Sequence, residues 1–142
     1  MRLTTRGNYA IAALLDMAID TRKSHISLKE TATHLEVSEN YLRQLFMQLS
    51  RVGIVKSVRG VSGGYFINKN TSDITLLSIV QAVEGAIIVV PCLQSDDNNP
   101  CRRALQCSAK PIWQLLNNSI ITCLEGITLE AMVNSYQNDF SD

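Results

Sequence analysis

The stretch SENYLRQLFMQLSRVGIVKSVRGVSGGYFIN, Ser38–Asn68, decides the fold. Its first half is written for a helix. Ser38 offers a side-chain oxygen to the open N–H groups of a first turn, and Tyr41, Leu42, Leu45, Phe46 and Leu49 recur at three- and four-residue steps. The helix expected is Glu39–Val52, stopped by Gly53, which tolerates the left-handed backbone that a helix end needs. The second half changes period. Ile54–Val58 is β-branched and alternating, Arg59–Gly64 is rich in glycine, and Tyr65–Asn68 returns as a second strand. That pattern is a β-hairpin.

Upstream, Thr4 or Thr5 caps a first helix over Arg6–Thr21, whose inner face is Tyr9, Ala10, Ala13, Leu14, Met17 and Ala18. After a polar break at Arg22–His25, Ser27 with Glu30 reads as a capping box opening a short helix that ends near Leu35. Glu36–Val37 is a tight turn. Two helices joined by a few residues form a helix-turn-helix, and the hairpin after them makes it a winged one. The second of these helices shows Glu39, Asn40, Arg43, Gln44, Met47 and Gln48 on its outer face. Amides and guanidinium groups pair donors and acceptors with base edges. The wing tip carries Arg59 among small residues, including Ser62, suited to a narrow minor groove or to phosphates. A glycine-rich tip can also cradle a nucleotide phosphate, but this spacing is neither a Walker loop nor a dinucleotide fingerprint.

Downstream, Thr75–Glu84 is an amphipathic helix closed by Gly85, and Ala86–Val90 is an apolar run of strand-like character. A helix of about four turns starts at Pro111 with the stripe Ile112, Trp113, Leu115, Leu116, Ser119, Ile120, Cys123 and Leu124. Thr128 caps a last short helix, Leu129–Ser135, before a frayed polar tail. The long helix is too apolar on one side to be content alone, and a second copy would cover it. Trp113, Leu116, Ile120, Cys123 and Leu124 are the residues expected at that dimer interface, with Cys123 acting as a small hydrophobe. The division expected is a winged helix-turn-helix DNA-binding domain at 1–70, followed by a cysteine sensor loop and dimerisation helices at 71–142.

Bulk properties agree. The chain has 142 residues and a net charge of zero. Residues 1–70 hold ten Lys/Arg against five acids, and residues 71–142 hold three against eight, so the basic half is the one fitted to a polyanion. Arg2, Arg6, Arg51, Lys56 and Arg59 are the expected phosphate contacts. There is no apolar run long enough for a membrane span, and the expected location is the cytoplasm. No acid–base constellation or CxxC motif supports an enzyme.

The remaining feature is PCLQSDDNNPCRRALQC, Pro91–Cys107. It concentrates Cys92, Cys101 and Cys107 in a polar loop that cannot form a core. Thiolates bind iron well, and Arg102 and Arg103 beside Cys101 favour the thiolate form. Zinc is the weaker choice, because structural zinc takes four clear ligands at closer spacing. A thiol switch without metal is the other chemistry open to these residues.

MRLTTRGNYA at the start, Tyr41–Leu45, Val58-Arg59-Gly60 through Gly63-Gly64-Tyr65, Ile74-Thr75 and Glu84-Gly85 resemble the IscR/NsrR/CymR family of bacterial transcription regulators. The resemblance runs from Met1 to about Val133. It implies a mainly α fold with a small β-hairpin wing, a homodimer whose long helix crosses over its partner, and a double-stranded DNA operator with an inverted repeat. For members with three loop cysteines it implies an iron–sulfur cluster, 2Fe–2S or 4Fe–4S, that senses cluster supply, iron, redox state or nitric oxide. Arg2, Thr4, Asn40, Arg43, Gln44, Gln48, Arg51, Lys56, Arg59 and Ser62 are then the DNA-facing residues. The alternative is a cofactor-free CymR-like regulator set by a partner protein or by thiol oxidation. Two positions depart from the family pattern: Lys110 stands where a histidine ligand is usual, and Asn8 where some relatives have an acid. The fourth ligand stays open among His34, Glu84, Asn8, water and a small thiol. Repression or activation stays open too.

Overall fold

The computed structural model describes residues 4–94, 101–103 and 106–140. Among them run α1 (Thr5–Ile19), α2 (Leu28–His34), α3 (Glu39–Arg51), β1 (Val55–Val58), β2 (Gly64–Ile67), α4 (Leu76–Glu84), α5 (Lys110–Glu125) and α6 (Leu129–Phe140). The strands pair antiparallel in the register Val55↔Ile67, Lys56↔Phe66, Ser57↔Tyr65 and Val58↔Gly64. This is the winged helix expected from Ser38–Asn68.

The core is built from the helical stripes. Ala10, Ala13, Leu14, Leu42, Leu45, Phe46, Leu49, Ile54 and Val55 are buried together with Ile74, Ile79, Val83 and Leu129. One apolar cluster therefore crosses position 70. The start of α6 is stitched to the start of α4: the Leu76 N–H donates to the Ile127 carbonyl at 2.7 Å, and the Leu129 N–H to the Ile74 carbonyl at 2.8 Å.

Helices α2 and α3 end in the same way. The Val37 N–H reaches the Ala32 carbonyl at 3.0 Å and the Glu36 N–H the Thr33 carbonyl at 3.3 Å. The Ile54 and Gly53 N–H groups repeat the pattern on Leu49 and Ser50, both at 3.0 Å. Each is a Schellman turn with a left-handed residue after the helix. Gly53, with φ +74°, takes that position freely, whereas Glu36 takes it with φ +55°.

Several local expectations change. The Ser27–Glu30 capping box does not form, because Glu30 accepts instead from the Lys23 ammonium at 2.8 Å, a charged donor on the preceding turn. Ala86–Val90 forms no strand; the Val89 N–H donates to Asn117 Oδ1 at 3.0 Å, which ties the segment to α5. The last helix continues past Ser135 to Phe140, where Tyr136 and Phe140 stack one turn apart with ring centroids 4.7 Å apart. A further link was invisible in the sequence. Ile26 pairs with Tyr65 through N–H···O bonds of 2.8 and 3.0 Å, so the wing has a third edge from the α1–α2 connection.

Candidate nucleic-acid interface and cysteine loop

Helix α3 is held from both sides of its amphipathic pattern. Ser38 Oγ accepts the Tyr41 N–H at 3.1 Å. Leu42, Leu45, Phe46 and Leu49 anchor the helix in the core, which turns Asn40, Arg43, Gln44, Met47 and Arg51 to solvent. Gln48 is half-buried. Arg43 donates to Glu39 one turn earlier, which lays the guanidinium along the helix.

The wing stands beside this face. Gly60 has φ +126° and its carbonyl accepts the Gly63 N–H at 3.0 Å, closing the tip. Lys56, Arg59, Val61 and Ser62 are exposed there. The His25 ring nitrogen Nε2 bonds the Ser62 carbonyl and so fastens the tip to the α1–α2 connection. Nearby, Arg22 pairs with Asp20 and Lys23 with Glu30. The hydrogen bond from Arg22 holds the Asp20 carboxyl below its ordinary range, and the bond to Glu30 raises the Lys23 ammonium. These pairs are exposed and screened by salt. Arg59 and Lys56, like Arg51 and Lys29, have no such partner among the described ion pairs, and they stand exposed on the wing. Arg59→Ala is expected to weaken operator binding by about tenfold and to lower the salt slope by about one ion. Filter or fluorescence titrations at several salt concentrations check this, and unchanged affinity would remove the wing from the interface.

Arg2 lies outside the described residues. Thr4 caps α1: its side-chain oxygen accepts the Arg6 N–H at 3.3 Å and its hydroxyl donates to Glu84 Oε1. That same carboxylate oxygen accepts the Gly7 N–H at 2.9 Å. Glu84, an open choice for the fourth ligand, is thus occupied at the positive end of α1. Of the other choices, His34 Nδ1 lies 2.8 Å from Asp16 Oδ2 and Asn8 is exposed on α1.

Cys92 sits in the short 3₁₀ turn Pro91–Gln94 and is half-buried, as are Cys101 and Cys107. Residues 95–100 and 104–105 of the same loop lie outside the described residues. Among the described residues no three His, Cys, Asp or Glu side chains are grouped as a metal site. The donor chemistry fits an iron–sulfur cluster, while the arrangement does not gather the donors.

Helix α5 divides its apolar residues between two faces. Ile112 is 64% exposed, Leu115 68%, Leu116 41% and Trp113 36%. Cys123 is exposed as well. Leu124 is turned inward onto Val80 and Ile87, with Ile120 packed beside them. Leu124 and Ile120 therefore serve the chain's own body, because the helix face opposite Leu115 is the one that meets α4.

The relatives share this winged-helix fold. Residues 3–135 match the Rrf2 family, described as an iron-dependent transcriptional regulator. This chain belongs to the Rrf2 family. It is 33% identical over 135 residues to the HTH-type transcriptional regulator IscR of Pectobacterium atrosepticum, covering 95% of this chain and 80% of that protein. Against IscR of Vibrio atlanticus the identity is 34% over 143 residues, covering 100% and 81%. Among solved structures, T. potens IscR superposes with a TM-score of 0.77 at 30% identity, over 99% of this chain and 91% of that one. CymR, the global cysteine regulator of B. subtilis, superposes with 0.74 at 29% identity, over 95% and 98%. The chain is a DNA-binding transcription regulator of this family and not an enzyme. No helix among the described residues is long and apolar enough to cross a membrane.

Proposed function

We propose that this regulator binds an inverted-repeat operator as a cytoplasmic homodimer, and that Cys92, Cys101 and Cys107 hold an iron–sulfur cluster that modulates the binding. Residues 1–70 carry the DNA-reading surface, and residues 71–142 carry the sensor loop and the pairing helix. The observation that supports the cluster reading most is the three half-buried thiols on one polar loop. The iron-dependent family and the IscR relatives favour it over a cofactor-free regulator. When bound, the cluster supplies a group sensitive to oxidation and to iron supply.

The chain's own part is electrostatic and mechanical. Arg102 and Arg103 are exposed beside Cys101 and would offset the negative charge of a bound cluster. The segment from Gly85 to Cys92 connects the loop to α4, whose last residue, Glu84, grips the start of α1. A coupling of about 1–3 kcal/mol between loop and operator is enough for a useful switch.

The test is iron and acid-labile sulfide per chain on protein purified without oxygen. Near-equal iron and sulfide, lost in Cys101→Ala, is the expected result. A colourless protein lacking both, still bound to DNA, would shift the cysteines to thiol chemistry and bring forward a partner-controlled regulator.

A further inference from the structure

The first turn of α1 is clamped between two parts of the molecule. On one side, Glu84 Oε1 accepts from the Thr4 hydroxyl and from the Gly7 N–H. On the other, Arg6 Nη2 donates to Gln48 Oε1 at 2.8 Å. Gln48 belongs to α3, one turn after Gln44 and three residues before Arg51. Arg6 was expected on a phosphate; the structure puts its guanidinium against the recognition helix.

A guanidinium only donates, so the oxygen of the Gln48 amide has to face Arg6. The amide NH2 then points the other way. A free glutamine offers both a donor and an acceptor and suits adenine, which needs the two together. A glutamine held by its oxygen offers donors only, which suits the acceptors of guanine, the O4 of thymine or a phosphate oxygen. We infer that Arg6 is a positioning residue for sequence readout: held in register by Glu84, it fixes which end of Gln48 faces the operator. The inference rests on the operator-binding reading above and adds how one position of the operator is chosen. Glu84 also ends the helix from which the cysteine loop departs, so the same clamp lies on the route between loop and recognition helix.

The experiment selects preferred sequences from a pool of double-stranded oligonucleotides with randomised positions, using the full-length protein. Wild type, Gln48→Ala, Arg6→Met, Arg6→Lys and Glu84→Ala are compared, each checked for a cooperative thermal transition. The base position whose preference changes in Gln48→Ala is expected to change in Arg6→Met by about tenfold in the specificity ratio. Arg6→Lys keeps the charge and loses the forked reach, so it is expected to shift the same position at an unchanged salt slope. It also stands in if Arg6→Met does not fold. Uniform loss across all sequences in Arg6→Met, with wild-type preferences in Arg6→Lys, would make Arg6 a plain phosphate contact and overturn the inference. Wild-type preferences in Glu84→Ala would remove Glu84 from it. A wild-type protein that selects no motif would strike the operator reading itself, a different failure.

Discussion

Gly64→Ala is expected to lower the thermal midpoint by about 10 °C and to abolish tight operator binding. A β-carbon at position 64 would lie 1.8 Å from the Ile26 carbonyl oxygen and 2.7 Å from its carbon. Both are backbone atoms, fixed by the two Ile26–Tyr65 hydrogen bonds. Relief requires those bonds to open, at about 1 kcal/mol each. Tyr65 then also loosens from Phe46, with which it makes an edge-on ring contact at 5.1 Å; such a contact contributes about 1 kcal/mol. A total near 3 kcal/mol corresponds to about 10 °C for a chain of this size. The wing, no longer fastened at its third edge, would cease to hold Arg59 beside α3. Gly126→Ala is the control. Gly126 has no left-handed φ and its β-carbon would meet helix carbonyls at ordinary distances of 3.5 and 3.6 Å, so little change is expected. Calorimetry and operator titration on the two variants decide it, and an unchanged midpoint in Gly64→Ala would show that the Ile26 pairing is not structural.

That glycine illustrates what a sequence of this kind does and does not display. The helices α1 and α3 were legible because their stripes repeat and their caps are local, and the wing because a glycine tip separates two alternating runs. Ile26 was not, since a single residue pairing with a strand far away leaves no period. Arg6 and Gln48 were each legible as polar surface, but nothing in two polar residues 42 positions apart announces that they bond. Ala86–Val90 has strand-forming residues, but its tie is a single side-chain bond to Asn117, which leaves no period in the sequence. The cysteines stood out as candidate donors because thiols in a polar loop have no evident packing role. Their spatial grouping depends on a loop that local patterns do not determine. The stripe of α5 was legible as apolar, but its division between body and exterior depends on where α4 lies, and so Ile120 and Leu124 were grouped with residues on the other face.

That division leads to the second large effect. Leu115→Glu is expected to raise the dimer dissociation constant by at least about a hundredfold and to cost the protein its preference for a full inverted repeat over a half-site. Ile112, Leu115 and Leu116 form an exposed apolar ridge at three- and four-residue spacing on a helix of 16 residues. A lone chain gains nothing from such a ridge, since the inward face of α5 already packs on Val80 and Ile87. In an isologous pair every substitution is made twice. Each leucine withdrawn from a buried contact forfeits about 1.5 kcal/mol or more, so two forfeit about 3 kcal/mol, which is a factor of about a hundred. The two carboxylates would also face each other's side of the contact. Gln114→Glu places the same charge on an exposed position away from the ridge and is expected to leave the dimer intact. Sedimentation across a range of concentrations measures the first effect, and titrations on full and half operators measure the second. A dimer equally stable in Leu115→Glu would mean that pairing uses another surface and that the ridge on α5 answers to a different partner. Loss of pairing together with retained half-site affinity would separate the two proposed functions, because α3 and the wing fold within one chain and, on the operator reading proposed above, need a second copy only for spacing.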